Sequence, residues 1–510
     1  MNPFRYTYTL PILSGILLAT AFPRFHVYPL AWIALVPLLV ATLQRNPRTV
    51  ALHFFITGWV FHTLVLQWLM TNIFWAGGWA ILGQQGLCIL LSLFWAIAGY
   101  LWTVSTQYRN NGIRALVLAL IWAALEYAQA ISFTGFGWTA LGYSQGPDTY
   151  FSQLATLGGV TFLSTIIVFV NAGIAIAWTC SSCRWKAFPI ALTVLVLAHL
   201  PGVVLLDEAQ YDDGPFQVGI VQTNYGQLMK WDRNYTVPMV EEAAELSLNI
   251  NQWGAVDLFV WPEAALMSDY NYGPLMRPLN LLTTETKAHL LTGTVRRDSA
   301  TNKSYNSAIL VDESGTVSDY YDKVHLAPFG EYLPLEPFTS FLRFILIGSV
   351  DAGEDQKLLS TNDRNFGPLI CFEVLFTPMA LHLRDMGADS LVVVSNLGWF
   401  GSSNAVPQAL EVARFRAIET RLPLIQAANT GISGIFDPYG RFTGIGQERD
   451  PDFNPQHLLM QKAIGRLPLA QAAAHPFPAG PVWVPRILAV FGLLLTALCW
   501  WKQDKAQVDG

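Results

Sequence analysis

A chain of 510 residues has room for more than one core, and this one is 52% hydrophobic yet only 13% charged, about half the charged share of an ordinary soluble protein. A net charge of −6 without any basic cluster argues against nucleic acid as a partner. Five cysteines supply no disulfide framework, and the lone Cys180-x-x-Cys183 pair lacks the second ligand pair of a zinc site. There is no H-E-x-x-H pattern and no phosphate-cradling glycine loop, so neither a metal nor a cofactor is expected.

The charges divide the chain. Residues 1–206 carry long apolar runs, while most Asp, Glu, Lys and Arg lie between 207 and 466. Crossing a bilayer takes about 20 mostly apolar residues. Eight candidate spans fall near 7–22, 28–43, 50–71, 79–104, 114–134, 153–179, 187–206 and 487–501, the first two being short. The first also resembles a signal peptide, with Arg5 ahead of an apolar stretch that ends in Ala19-Thr20-Ala21.

One set of connections holds Arg5, Arg45 and Arg48, Arg109 and Arg114, Arg184 and Lys186, then Lys502 and Lys505; the alternate short ones hold only Arg24. By the positive-inside rule both termini are cytoplasmic, and the large segment between spans seven and eight lies outside. Within the spans His62, Gln67, Gln84, Gln85 and Glu126 stand out. Glu126 is a functional candidate by default, though a bond to a neighbouring helix explains it equally simply.

From residue 216 onward the pattern changes to strand-length apolar runs at Phe216–Gln222, Leu258–Trp261, Leu290–Val295, Ser307–Val311, Gly367–Phe372, Leu391–Ser395 and Leu424–Ala428. Helix-like stretches such as Val237–Asn249 and Pro407–Arg421 lie between them, which predicts an α/β layered domain. The expected organisation is 1–206 as a seven-span membrane domain, 207–466 as an extracytoplasmic catalytic domain, 467–486 as a linker and 487–510 as an eighth span and tail. Pro and Ala enrichment makes the whole stretch from Pro451 to Pro485 read as connecting chain.

Three segments carry chemistry. Trp261-Pro262-Glu263 ends a strand, where a glutamate alone is more often a surface residue. Tyr321-Asp322-Lys323-Val324-His325-Leu326 leads into a Pro- and Gly-rich loop with Glu331 eight residues past Lys323. Ile370-Cys371-Phe372-Glu373 sets a cysteine in an apolar run, usually the mark of a small buried hydrophobe.

Taken together, the three segments resemble the nitrilase superfamily, which works with a Glu–Lys–Cys triad in this chain order. The likeness spans roughly 216–446 and includes Asn396, Trp399-Phe400-Gly401 and Ala428-Asn429-Thr430-Gly431. It implies an αββα sandwich with Glu263 as general base, Lys323 as oxyanion stabiliser and Cys371 as nucleophile. Glu331 and Glu373 are supporting carboxylates, and which one orients Lys323 stays open at this level. Asn306 matches a position near the lysine, and Trp231 and Trp399 match positions lining a substrate cavity. Phe372 replaces a tyrosine common beside the nucleophile, which puts any role for that hydroxyl in doubt.

Apolar spans flanking such a domain resemble the apolipoprotein N-acyltransferase family, over essentially the whole chain. That implies a two-step exchange: a fatty acyl chain passes from phospholipid to a cysteine thioester, then to the N-terminal amine of a diacylglyceryl-cysteine lipoprotein. The implied setting is the bacterial inner membrane with a periplasmic catalytic face, and a monomer. Leu333–Val350, with Phe338, Phe341 and Phe344, is apolar enough to be either a mobile, lipid-touching arm or a core helix. Two rivals remain: a tethered amidase that transfers to water, and a receptor or transporter whose outer domain only binds.

Overall fold

The computed structural model describes residues 8–72, 77–106, 110–207, 214–346, 349–447 and 461–508; the side chains at 342, 344, 345 and 502–508 lie outside that description. The chain divides into two compact units, one of residues 1–73, 78–209 and 476–510 and the other of 74–77 and 210–475.

The first unit is helical. Among the described residues, five helices are long and apolar enough to cross a membrane: Trp79–Thr106, Asn111–Ile131, Ala155–Thr179, Arg184–Leu206 and Gly480–Trp501. Thr9–Ala21 and Tyr28–Ala41 are apolar but shorter, and Pro47–Val65 is a 19-residue helix of lower apolarity that contains Arg48, His53 and His62. Five of the eight expected spans thus meet a strict length-and-hydropathy requirement.

The polar residues of this unit mostly bond within it. His62 Nδ1 lies 3.2 Å from Ser92 Oγ, Gln84 donates to the Thr63 carbonyl, and Glu126 Oε1 accepts the Leu141 N–H at 3.0 Å. Cys180 and Cys183 are joined in a single local disulfide. The turn between two helices brings their Cα atoms to 5.2 Å, inside the range a disulfide spans.

The second unit is a pair of six-stranded sheets. One runs β12 (Ala463–Pro468), β1 (Gln217–Gln222), β2 (Leu258–Val260), β3 (His289–Arg297), β4 (Ser304–Val311), β5 (Val317–Asp322). The other runs β11 (Phe442–Gly444), β10 (Gly434–Phe436), β9 (Leu424–Ala428), β8 (Ser390–Ser395), β7 (Asn365–Ile370), β6 (Leu359–Ser360). Each has a parallel centre, β1-β2-β3 and β7-β8-β9, bordered by antiparallel strands.

The inner faces of the two sheets meet in one core, where Val218, Ile220, Val260, Leu291 and Leu310 pack with Phe366, Ile370, Val392, Val394 and Ile425. Alternation along each strand sends the intervening residues outward. On the first sheet these are Val221, Phe259, Trp261, Leu290 and Ile309, covered by Val240, Ala243, Leu275, Leu279 and Leu282 from the helices Thr236–Asn251 and Gly273–Thr286. The helices Thr377–Asp385 and Ala405–Thr420 pack on the second sheet, completing an αββα sandwich.

The expected linker at 467–486 is corrected in its first part. Residues 463–468 form β12 in register with β1, from Ala463 opposite Gln222 to Pro468 opposite Gln217. Past it, the Ala473 N–H donates to the Arg421 carbonyl and His475 Nε2 lies 2.7 Å from the Glu419 carbonyl, so the chain stays attached to the sandwich until just before the last helix at Gly480.

Candidate active site

Parallel strands aim their carboxyl ends at one edge of a sheet, and groups placed just past those ends converge. Glu263 follows β2, Cys371 follows β7, Asn396 follows β8 and Asn429 follows β9. Glu263 sits in a tight bend: Ala264 has φ +48°, and the bend lies against Gly293 of β3. A Cβ at 293 would come within 2.6 Å of Glu263 Cα, so only glycine lets the bend approach.

Lys323 continues from β5 and is 1% exposed. Its N–H donates to the Asn306 carbonyl and its own carbonyl accepts from the Gly353 N–H, both at 2.8 Å. Its ammonium lies 2.8 Å from Glu331 Oε2 and 2.9 Å from Oε1, and 3.9 Å from Glu263 Oε1. The Asn306 amide nitrogen donates to both carboxylates, at 2.8 Å to Glu263 Oε1 and 2.9 Å to Glu331 Oε1. One lysine and one amide thus hold two acids.

Burial by itself would lower the Lys323 ammonium, but Glu331 and then Glu263 reverse that and raise it, so the lysine stays charged. Burial likewise opposes ionisation of Glu331, yet Lys323, the Ala327 N–H and Asn306 hold its carboxyl below the usual range.

Cys371 has φ +52°, a left-handed conformation costly for any residue but glycine, at the junction of β7 with the helical turn Cys371–Leu375. Burial pushes its thiol up, the Glu263 carboxylate adds to that, and Lys323 and the Asn396 N–H only partly oppose it. A thiol so raised rests protonated, and its sulfur would need a base to take the proton before it could act as a nucleophile.

Glu373 does a different job from Glu331. Its Oε1 accepts the Tyr321 hydroxyl at 2.7 Å and the Val324 and His325 N–H groups at 2.9 and 3.0 Å, while Oε2 accepts the Ile370 N–H at 2.7 Å. It clamps the loop carrying Lys323 to the turn carrying Cys371, across the two sheets. Burial raises its carboxyl despite those donors.

The aromatic candidates are less constrained. Trp231 is 50% exposed, Trp399 is partly exposed in the turn Leu397–Phe400, and the Phe372 ring packs edge-on against Phe376. Leu333–Val350 is no core helix: it forms the short turns Glu336–Thr339 and Ser340–Ile345, with Leu335, Phe338 and Phe341 65%, 78% and 63% exposed. The Phe344 side chain and residues 347–348 lie outside the described residues.

Sequence reasoning passed over Lys230 and Gln227, and named Asn396 and Asn429 without showing that they meet. Lys230, 2% exposed, donates to the Glu263 carbonyl at 3.1 Å. Gln227, Asn396 and Asn429 form a buried amide cluster in which Asn396 Oδ1 accepts from both of the others. Nothing in the sequence marks Lys230 as buried; only its neighbour Trp231 drew notice there.

Comparison with known proteins bears on this geometry. The carbon-nitrogen hydrolase domain matches residues 217–451 and the apolipoprotein N-acyltransferase N-terminal domain matches residues 14–173. The apolipoprotein N-acyltransferase of Geobacter metallireducens is 33% identical over 456 residues, 86% of this chain and 87% of that protein.

This chain belongs to the apolipoprotein N-acyltransferase family.

The family member of Haemophilus influenzae is 31% identical over 457 residues, covering 86% of each chain. Among solved structures, a nitrilase-superfamily protein of Saccharomyces cerevisiae covers 50% of this chain and 90% of its own at 19% identity, with a TM-score of 0.38. As a member of this acyltransferase family the protein is a membrane enzyme of the nitrilase superfamily, with its carbon-nitrogen hydrolase domain in the second unit.

Proposed function

We propose that the protein moves a fatty acyl chain from phospholipid to the N-terminal amine of diacylglyceryl-cysteine in apolipoproteins, with Cys371 as the carrier. The observation that carries this assignment of roles is the buried Lys323 ammonium, 2.8 Å from Glu331 Oε2 but 3.9 Å from Glu263 Oε1, which leaves Glu263 the less tightly paired carboxylate.

In the first step Glu263 accepts the Cys371 proton as sulfur attacks the ester carbonyl of the donor lipid. Lys323 and the Phe372 N–H stabilise the tetrahedral oxyanion. The C–O bond then breaks and Glu263 returns the proton to the leaving alkoxide, freeing a lysophospholipid and leaving a thioester. In the second step the lipoprotein amine attacks that thioester, Glu263 takes an amine proton, the C–S bond breaks and the thiolate is reprotonated. Glu331 and Asn306 orient Lys323 and Glu263, and Glu373 fixes the two loops.

Two-chain substrates stay in the bilayer because each buried CH₂ contributes about 0.8 kcal/mol, so the site must work at the membrane surface. The basic residues on alternate connections support cytoplasmic termini and a catalytic unit on the periplasmic face of the inner membrane. The exposed Leu335, Phe338 and Phe341 suit contact with lipid, and Trp231 and Trp399 suit contact with substrate.

The test is reconstitution with a phospholipid and a synthetic diacylglyceryl-cysteine peptide. Acylation of the peptide amine is expected from the native enzyme and not from Glu263→Gln, Lys323→Met or Cys371→Ala. Release of free fatty acid in place of acylated peptide would instead favour a tethered amidase.

A further inference from the structure

A buried ammonium is costly unless something on the protein uses its charge and donors. Lys230 is such a group, 2% exposed on the short helix Gln227–Trp231, with its Nζ 3.1 Å from the Glu263 carbonyl oxygen. That carbonyl belongs to the Pro262–Ala264 bend, which a left-handed Ala264 takes out of the β ladder. Gln227, three residues earlier on the same helix, donates to Asn396 Oδ1 at 3.1 Å, and the Asn396 N–H acts on the Cys371 thiol. One short helix therefore braces the residue placed as base and the neighbour of the residue placed as nucleophile.

We propose that Lys230 is a positioning residue for acyl transfer: by donating to the Glu263 carbonyl, its ammonium fixes the bend from which the Glu263 carboxylate projects. The inference rests on the reading of Glu263 as the base. Burial pulls the Lys230 ammonium down to about 8, with the Glu263 carboxylate opposing. The Lys230 charge thus sits close enough to the Glu263 carboxylate for the two to interact. Glu263 itself is also faced by Lys323 from the β5 loop, Glu331 from the loop beyond it and Cys371 from the β7 turn. None of these contacts its backbone as Lys230 does.

The experiment is the rate of Cys371 acylation by phospholipid in the full-length, detergent-solubilised enzyme, read as hydroxylamine-labile mass across a phospholipid series. Lys230→Met is expected to lower the maximal rate about tenfold or more while leaving the half-saturating phospholipid concentration in place. Lys230→Arg, which keeps charge and donors, is expected to recover most of the maximal rate. If Lys230→Met does not accumulate in the membrane, Lys230→Gln, whose shorter side chain falls short of the Glu263 carbonyl, must lower the maximal rate the same way.

A native maximal rate in Lys230→Met, or a loss confined to the half-saturating concentration, overturns the inference. Glu263→Gln run alongside separates the two readings. If it acylates at the native rate, the base assignment fails and Lys230 falls with it. If it is inactive while Lys230→Met keeps the native maximal rate, only the inference about Lys230 fails.

Discussion

Removing Glu331 while keeping its shape is the perturbation that best exposes how the site divides its charges. Two carboxylates share one ammonium, and Lys323 lies against Glu331 at 2.8 Å but stands off from Glu263 at 3.9 Å. In Glu331→Gln the lysine has one carboxylate left and moves toward it. Closing that gap to the distance now held by Glu331 strengthens the Glu263–Lys323 attraction by about 1.5–2 kcal/mol at an effective dielectric constant of about 20. A carboxylate stabilised by that much is a base weaker by roughly tenfold or more, and because a rate follows only part of a change in base strength, thioester formation is expected to slow by about three- to tenfold.

The fold loses part of a buried ion pair, a change that costs about 3–5 kcal/mol when the remaining charge has no other partner and less here because Glu263 remains. The sign of the pH effect follows from the lowered Glu331 carboxyl. Its stabilisation is fully present above the unfolded carboxylate value of about 4.3 and is lost as pH falls through the lowered folded value. Thermal unfolding of Glu331→Gln should therefore fall less steeply on acidification than that of the native enzyme. Acylation within twofold of native, measured on folded protein by intact mass against time, would refute the charge-sharing argument.

Three further outcomes follow from the same geometry. Because burial raises the Cys371 thiol, its alkylation by iodoacetamide should be slow at neutral pH and accelerate only above the range of an ordinary thiol, whereas fast neutral alkylation would show a preformed thiolate. In Glu373→Gln a side-chain N–H must face either the Ile370 N–H or the three donors on the other oxygen. A loss of about 1–3 kcal/mol in stability is expected, with a fall in acylation rate as the Lys323 and Cys371 loops loosen; an unchanged melting temperature would contradict the clamp. Replacing Phe338 and Phe341 by Ser should slow acylation from bilayer phospholipid and leave thermal stability within about 0.5 kcal/mol, since both rings are exposed; loss of the fold would show that they pack.

Much of the sandwich was legible because its central strands are buried on both faces. Runs such as Leu391–Ser395 and Leu424–Ala428 therefore carry an unbroken apolar signal, matching β8 and β9 within a residue. The strands that escaped notice are at or next to the sheet edges. β5 reads Val-Ser-Asp-Tyr-Tyr-Asp, polar as an edge strand should be, and β12 reads Ala-Ile-Gly-Arg-Leu-Pro inside a Pro- and Ala-rich stretch. β10 and β11 have only three residues each.

The membrane half was legible as composition but less so as a count of spans. Thr9–Ala21 and Tyr28–Ala41 fall short in length, and Pro47–Val65 is diluted by Arg48, His53 and His62. At the site, the residue types of Glu263, Lys323 and Cys371 in order pointed to thioester chemistry, but the division of labour between Glu331 and Glu373 did not. Glu373 lies two residues from Cys371 yet points its oxygens at Tyr321, Val324 and His325, a pairing across sheets that no spacing along the chain encodes. Lys230, Gln227 and the pairing of Gln227 and Asn429 with Asn396 escaped for the same reason.

The central claim is that Cys371 carries the acyl chain, and the most direct measurement is the intact mass of the purified protein after incubation with phospholipid, with Cys371→Ser beside it. The account predicts a gain of one acyl chain on the native protein, removed by hydroxylamine and discharged by a diacylglyceryl-cysteine peptide. It predicts no hydroxylamine-labile gain on the variant. An acylated peptide formed while Cys371→Ser is fully active, or a labile adduct that maps to another residue, would contradict it.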